Sequence, residues 1–479
     1  MKKLPLSLLA VALCFLAYAQ QTTFRIQYNI GAFDFPSGMT QVPGGGNYVF
    51  SSFTPNLGIP LGTQGGLTAV NLNGNHVWSK LYRTSSNPFT TEVELSDVKN
   101  SSAGGFIVTG SSSGQALLMK TDATGNISWS YRYIPQSGAS SFGNKVIQTS
   151  DGGYLVAGSA NTLGAGRDSS KLFAFKTDAS GTLSWARVFI VNTGFDDDDY
   201  LTDVVETSDG YAFVGYATMV AGDGQSDAVI VKTNTSGAVQ WAGRFGNSNS
   251  EDIESIISDG GTNVVMSGLD NLGAYILNMN IPNSAPSITG TNTRYYSTGL
   301  PVTAGNLTKT YDNNFAIFAS GATFGNFTSI LAKVNRNTGA VIFAKSYNSF
   351  ISLLPTGIMA ADSGFLINSI SADTTGSGGA YDFGVTKTDI NGNQGGSGCA
   401  PSNVTILTQN YSPTITTFSP TTITTGTRNS GSVTASNVTP TTVIACRSIA
   451  CNAPATPTVT SSGNNICSGT QVTINASGG

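Results

Sequence analysis

The sequence predicts an all-β chain whose main body is a seven-bladed β-propeller followed by a Thr/Ser-rich β segment. Three observations carry this. A pattern of roughly 50 residues recurs along the chain, as repeat architectures require. Seven times a tight polar turn leads into a short apolar run, at Gly44, Gly104, Asp151, Asp209, Asp259, Asp312 and Asp362. Finally, a strand-like segment near the N-terminus matches what the last repeat lacks.

Residues 1–19 read as a secretory signal peptide. Lys2 and Lys3 give the charged start, Leu4 to Leu16 the apolar run, and Ala17-Tyr18-Ala19 the small residues of a cleavage site before Gln20. Cys14 follows Leu13, where a lipoprotein signal needs a small residue, so it is read as part of the removed segment. No other apolar run is long enough to cross a bilayer, so the chain is expected to be secreted or held at the outer cell surface. Charged residues make up 10% and the net charge is −4, without a basic patch. Nucleic acid is therefore not an expected partner. A 39% apolar content with regularly spaced aromatics argues against disorder. The 57 glycines and abundant Asn, Ser and Thr suit tight turns between short strands.

The propeller is expected over residues 20–398. Its clearest repeat runs Thr121-Asp122-Ala123-Thr124-Gly125-Asn126-Ile127-Ser128-Trp129, and again from Thr177 to Trp185 and from Thr233 to Trp241. Val70 to Trp78 is an earlier copy, and Gly339 with Phe343 keeps the spacing later. All four tryptophans of the chain occupy this one position, where they are expected to pack between neighbouring blades. Within one unit, Asn144 to Thr149 is a short strand and Asp151-Gly152 a hairpin turn. Tyr154 to Gly158 is a nearly continuous apolar run, suited to a strand covered on both faces. Lys171 to Thr177 and Leu183 to Phe189 follow as third and fourth strands. A four-stranded sheet with two apolar faces cannot bury both alone, and radial stacking does so. An open solenoid is the other arrangement such repeats allow.

The fifth unit carries a Pro-containing insertion after Tyr275 to Asn278, with Tyr295-Tyr296 in the expected place of the Trp. The seventh reaches Thr388-Asp389-Ile390-Asn391-Gly392 but has no Trp strand, only Gln394 to Gly398. Thr22 to Asn29 resembles the missing fourth strand, so it is expected to complete the last blade and close the ring. Closure removes the free edges of an open array.

Residues 399–451 alternate, as in Asn403 to Thr408 and Thr441 to Ile444, and read as a small β module or strand-bearing stalk. Cys399 and Cys446 bracket it and are expected to pair in an oxidising compartment. Cys399, Cys446, Cys451 and Cys467 allow three connectivities, and sequence beyond Gly479 is a further source of a partner for Cys467. Zinc at Cys446 and Cys451 is disfavoured, because the chain has one His and no common ligand spacing.

The Asp-Gly-Gly-Tyr turn at Asp151 and the Lys-Thr-Asp…Gly…Trp segments resemble propeller repeats of exported proteins from gliding and related bacteria. The resemblance covers about Phe24 to Gly392 and is strongest from Val108 to Trp241. The stretch 452–479, with Thr456 to Thr460 and Ile466 to Ile474, resembles the opening of Ig-like modules in large surface proteins of such bacteria. It implies a truncated Ig-like β-sandwich, a longer parent chain and a C-terminal secretion signal of the type IX kind. It implies no catalytic residue.

Little chemistry is left unabsorbed by the repeats. His76, the only histidine, is expected on a blade surface, and no nucleophile elbow accompanies it. The turn aspartates Asp151, Asp209, Asp259, Asp312 and Asp362 read as turn formers rather than ligands. Asp196, Asp197, Asp198 and Asp199 form the one acidic cluster, a calcium candidate by its oxygen content but without EF-hand or RTX spacing. A solvated loop is the plainer reading, so no catalytic residue and no cofactor is assigned. The expected function is a non-catalytic adhesion or binding module for a protein or glycan. The alternative is an extracellular hydrolase or polysaccharide-processing enzyme, which needs two facing carboxylates in a central pocket.

Overall fold

The computed structural model describes residues 21–448 except 31–33, 57–61, 85–91, 136–138, 162–169, 192–198, 219–225, 246–249, 271–272, 290–292, 298–301, 324–325, 348–355, 373–380, 396–398, 411–414, 425 and 432. The signal-peptide segment, Cys451, Cys467 and the Ig-like stretch lie outside these residues. The chain is a seven-bladed β-propeller, each blade an antiparallel sheet. Among the described residues no helix is long and apolar enough to cross a membrane.

Four strands build each blade from the channel outwards. Blade 1 is Phe35–Gln41, Tyr48–Asn56, Gly62–Val70 and His76–Arg83; blade 2 is Val93–Asn100, Phe106–Ser112, Gln115–Thr121 and Ile127–Ile134. Blade 3 is Ser141–Gln148, Tyr154–Asn161, Ser170–Thr177 and Leu183–Ile190; blade 4 is Tyr200–Thr207, Gly210–Thr218, Ser226–Thr233 and Val239–Phe245. Blade 5 is Asp252–Ser258, Asn263–Asp270, Gly273–Asn280 and Arg294–Ser297; blade 6 is Val302–Lys309, Phe315–Thr323, Asn326–Val334 and Val341–Tyr347. Blade 7 is Thr356–Met359, Phe365–Ala372 and Tyr381–Lys387, and its fourth strand is Thr23–Asn29, paired antiparallel to Tyr381–Lys387.

Burial follows position in the blade. The second and third strands of blade 3 are buried almost without interruption, because neighbouring blades cover both faces. Each junction holds its own apolar cluster; Leu155, Phe213, Val229 and Trp185 meet between blades 3 and 4. The recurrent Trp and Gly explain one another across these junctions. Gly125 has φ +80°, and a Cβ there would lie 2.7 Å from the Trp78 ring of the preceding blade. Gly181 and Gly237 stand in the same relation to Trp129 and Trp185. Blade 5 departs from the expectation. Tyr296 takes the place not of the Trp but of the tyrosine four residues after it, and its hydroxyl donates to Gly339 O at 3.0 Å. Trp241 instead donates to Pro282 O at 2.8 Å, so the insertion stands in for the turn glycine.

The turn aspartates also neutralise buried lysines. The ammonium groups of Lys176, Lys232, Lys333 and Lys387 lie 2.8–2.9 Å from Asp151, Asp209, Asp312 and Asp362 of their own blades. A buried ammonium is costly without such a partner. In blade 2, which has Gly104 at that turn, Lys120 turns to the Gly104 carbonyl instead.

The Thr/Ser-rich segment is not a separate module or stalk. It runs backwards around the rim as a belt and adds a fifth strand to every blade. Ser402–Asn403 joins blade 6, Leu407–Asn410 blade 5, Ile415–Phe418 blade 4, Thr421–Ile423 blade 3, Thr427–Ser430 blade 2, Thr434–Asn437 blade 1 and Thr441–Ser448 blade 7. Its alternation is that of real strands, whose partners lie elsewhere in the chain. Ile406, Ile415, Phe418, Ile423 and Val433 pack against the cores of successive junctions. Arg428 lies over the Tyr131 ring, 4.3 Å from its centroid. The belt covers the outer edge of each blade, and most of its own strands are short and polar, which makes them poor templates for further pairing. A disulfide between Cys399 and Cys446 joins the two ends of the belt.

Candidate functional site

The two faces of the disc are built differently. One carries the tight turns between first and second and between third and fourth strands, such as Asp178 to Thr182, where the Asp178 carboxylate accepts from Ser180 N and Thr182 N. These turns are structural. The opposite face carries the longer connections, for example between Asn161 and Ser170 and between Ile190 and Tyr200. Two cavities open on this loop face and share Asn144.

The first cavity, about 400 Å³, lies where blades 2, 3 and 4 meet. Ser111, Ser141, Ser159, Asn161, Ser170 and Tyr200 line it, and among the described residues no lining residue is charged. Tyr200 packs against Tyr216 with ring centroids 5.6 Å apart. Hydroxyls, amides and an aromatic face without charge can hydrogen-bond and stack on a neutral polar ligand.

The second cavity, about 370 Å³, occupies the central channel. Its shape follows from a repeated irregularity. The innermost strands of blades 2 to 5 each carry a bulge, at Ser96, Asn144, Thr202 and Glu254, which turns these side chains out of the ladder. Ser96, Asn144 and Thr202 each donate to a carbonyl of the next blade, at Gly143, Leu201 and Ile253. The residue after the bulge faces the same way. Asp97 accepts from Val146 N at 3.2 Å, Asp203 from Ile256 N at 2.9 Å, and Asn306 of blade 6 from Gly357 N at 2.5 Å. These bonds tie blades 2, 3, 4 and 6 to their successors.

Lys145 and Glu254 stand in this ring too. Burial pushes the Glu254 carboxyl up to about 8, with Asp252 and Asp203 adding to the rise and Lys145 opposing it. Burial also raises Asp203, against the pull of Lys145. For Lys145 the burial penalty is outweighed by Asp97, Asp203 and Glu254, so its pKa is raised.

The residues singled out from sequence lie elsewhere. Asp196, Asp197 and Asp198 fall outside the described residues. Asp199 is buried, 3.6 Å from Lys171 Nζ, and accepts from Thr218 N at 3.1 Å, so it fastens strands within blade 4 and to blade 3. Among the described residues no group of three or more His, Cys, Asp or Glu side chains is placed to hold a metal. His76 sits in the fourth strand of blade 1, its Nε2 3.0 Å from Ser79 Oγ, with burial lowering its pKa. The channel residues were missed because each looks like one more polar residue in an amphipathic strand. The available signal was a break in pattern, since Lys145 and Glu254 replace neutral or acidic residues at aligned positions. No family model and no curated protein matches this sequence.

Proposed function

We propose that this chain is a non-catalytic binding module, exported and acting at the cell surface or outside it, that presents the loop face of its propeller to a glycan or protein. The carrying observation is the cavity between blades 2, 3 and 4, whose described lining offers hydroxyls, amides and a tyrosine without a charge. Export rests on the signal-peptide pattern of residues 1–19 and on the resemblance of the repeats to those of exported surface proteins. The non-catalytic reading draws support from the channel, where Asp97 and Asp203 hold backbone N–H groups and Glu254 is the one carboxylate lining the cavity among the described residues. A glycosidase would use two carboxylates across a substrate.

The test is a screen of the full chain against glycans and intact cells, with Tyr200→Ala and Asn161→Ala alongside. Saturable binding that falls at least tenfold in both variants, with unfolding unchanged, supports the reading. Polysaccharide hydrolysis by the wild-type chain, or binding unaffected by both substitutions, overturns it. The belt must be kept, since a fragment ending at residue 398 would leave all seven blade edges bare.

A further inference from the structure

The channel cavity has two unlike walls. Phe35, Pro36, Phe53 and Ile370, from blades 1 and 7, make an apolar wall, with Phe35 and Phe53 stacked at 5.2 Å between centroids. Asn144, Lys145, Thr202, Glu254 and Asn306, from blades 3 to 6, make a polar one.

Two members of the polar wall do not do what their positions do elsewhere in the ring. At the bulge, Ser96, Asn144 and Thr202 donate to the next blade, whereas the Glu254 carboxyl makes no such bond among the described residues. At the following position, Asp97, Asp203 and Asn306 accept a backbone N–H from the next blade, and a lysine at 145 cannot accept. Both exceptions line the same cavity, where they attract one another without a salt-bridge contact among the described residues. Residues that break a structural pattern are expected at functional positions.

We infer that the channel binds a zwitterionic α-amino acid with an apolar side chain, its carboxylate at Lys145, its ammonium at Glu254 and its side chain against Phe35, Phe53 and Ile370. A zwitterion matches the separated cation and anion, and an apolar body matches the opposite wall. A purely anionic ligand would meet Asp97, Asp203 and Asp252 near the same channel. Burial is the chief cause of the raised Glu254 pKa, and an ammonium bound beside it would draw the carboxyl towards its ionised form. This goes beyond the binding role proposed above, to the second cavity of the same face.

The test is calorimetric titration of the full chain with L-phenylalanine, N-acetyl-L-phenylalanine and L-phenylalanine amide. The free amino acid is expected to bind saturably and each blocked analogue at least tenfold more weakly. Glu254→Gln should abolish the penalty for acetylation alone, and Lys145→Met the penalty for amidation alone. No binding of L-phenylalanine at millimolar concentration, or equal binding of all three compounds, overturns the inference without reference to any variant. If the amino acid fails while glycans or cells are still bound, this inference falls and the broader reading stands. The reverse result separates the two in the other direction.

Discussion

The Tyr28 hydroxyl donates a hydrogen bond to the Gly74 carbonyl at 2.6 Å. Tyr82 makes the same bond to Gly125, Tyr133 to Gly181 and Tyr347 to Gly392, at 2.6, 2.6 and 2.8 Å. In each case a tyrosine of a fourth strand reaches the turn glycine of the next blade. The N-terminal strand thus seats on blade 1 as its counterparts seat on their neighbours. Phe24 fills the Trp position beside it, 3.0 Å from a Cβ built on Gly74.

Tyr28→Phe should therefore cost about 1–3 kcal/mol, because it strands a buried carbonyl while removing little apolar area. Tyr82→Phe should cost a similar amount, since the two bonds are equivalent. Deleting residues 22–29 should cost far more, because it removes the fourth strand of blade 7 and uncovers Phe383 and Val385. Urea unfolding of the three variants checks the order. An unchanged midpoint for the deletion would contradict the closing role of this strand.

The Cys399–Cys446 bond ties the belt shut over a sequence separation of 47 residues. Closing a loop of that size stabilises by roughly 4 kcal/mol in the chain-entropy account. Reduction, or Cys399→Ser, should lower the unfolding midpoint and expose the belt to proteases before the blades, since the belt strands are mostly short and solvent-facing. Timed proteolysis with mass spectrometry distinguishes the outcomes. Simultaneous loss of belt and blades in the reduced chain would show that the belt has no independent opening.

Glu254 predicts an alkaline loss of stability. Its folded pKa, raised to about 8 from an ordinary 4.5, means that the folded chain keeps a proton the unfolded chain releases. The resulting stabilisation is full below about pH 4.5 and is lost as pH rises through about 8. Asp252, pushed to about 6 chiefly by burial, contributes the lower part of the same slope. Glu254→Gln should match wild type near pH 4.5 and exceed it increasingly towards pH 9. Thermal unfolding across this range is the measurement, and parallel curves for the two proteins would rule the effect out.

Much of the architecture is legible in single segments because its causes are local. An Asp or Asn at the head of a turn satisfies backbone N–H groups two and four residues on, as Asp122 does for Thr124 and Asn126. Continuous apolar runs such as Tyr154 to Gly158 announce strands covered on both faces. Counting such units yields seven blades, and the incomplete seventh unit points to Thr22 to Asn29. The role of the turn aspartates was only half visible, since Asp151 meets Lys176 through folding of the whole blade.

The destination of residues 402–448 was decided by tertiary structure alone. Their alternation says that they form strands, but every blade edge offers the same backbone donors and acceptors. Nothing local assigns Asn403 to Lys345 or Ile423 to Val188. The channel site belongs to the same class, since Lys145 and Glu254 come from blades 3 and 5 and meet only when the ring closes. Strand and turn identity rests on interactions between near neighbours, which the sequence states outright. Edge partners and convergent side chains depend on which surfaces remain open after the blades have stacked, and only the closed ring determines those.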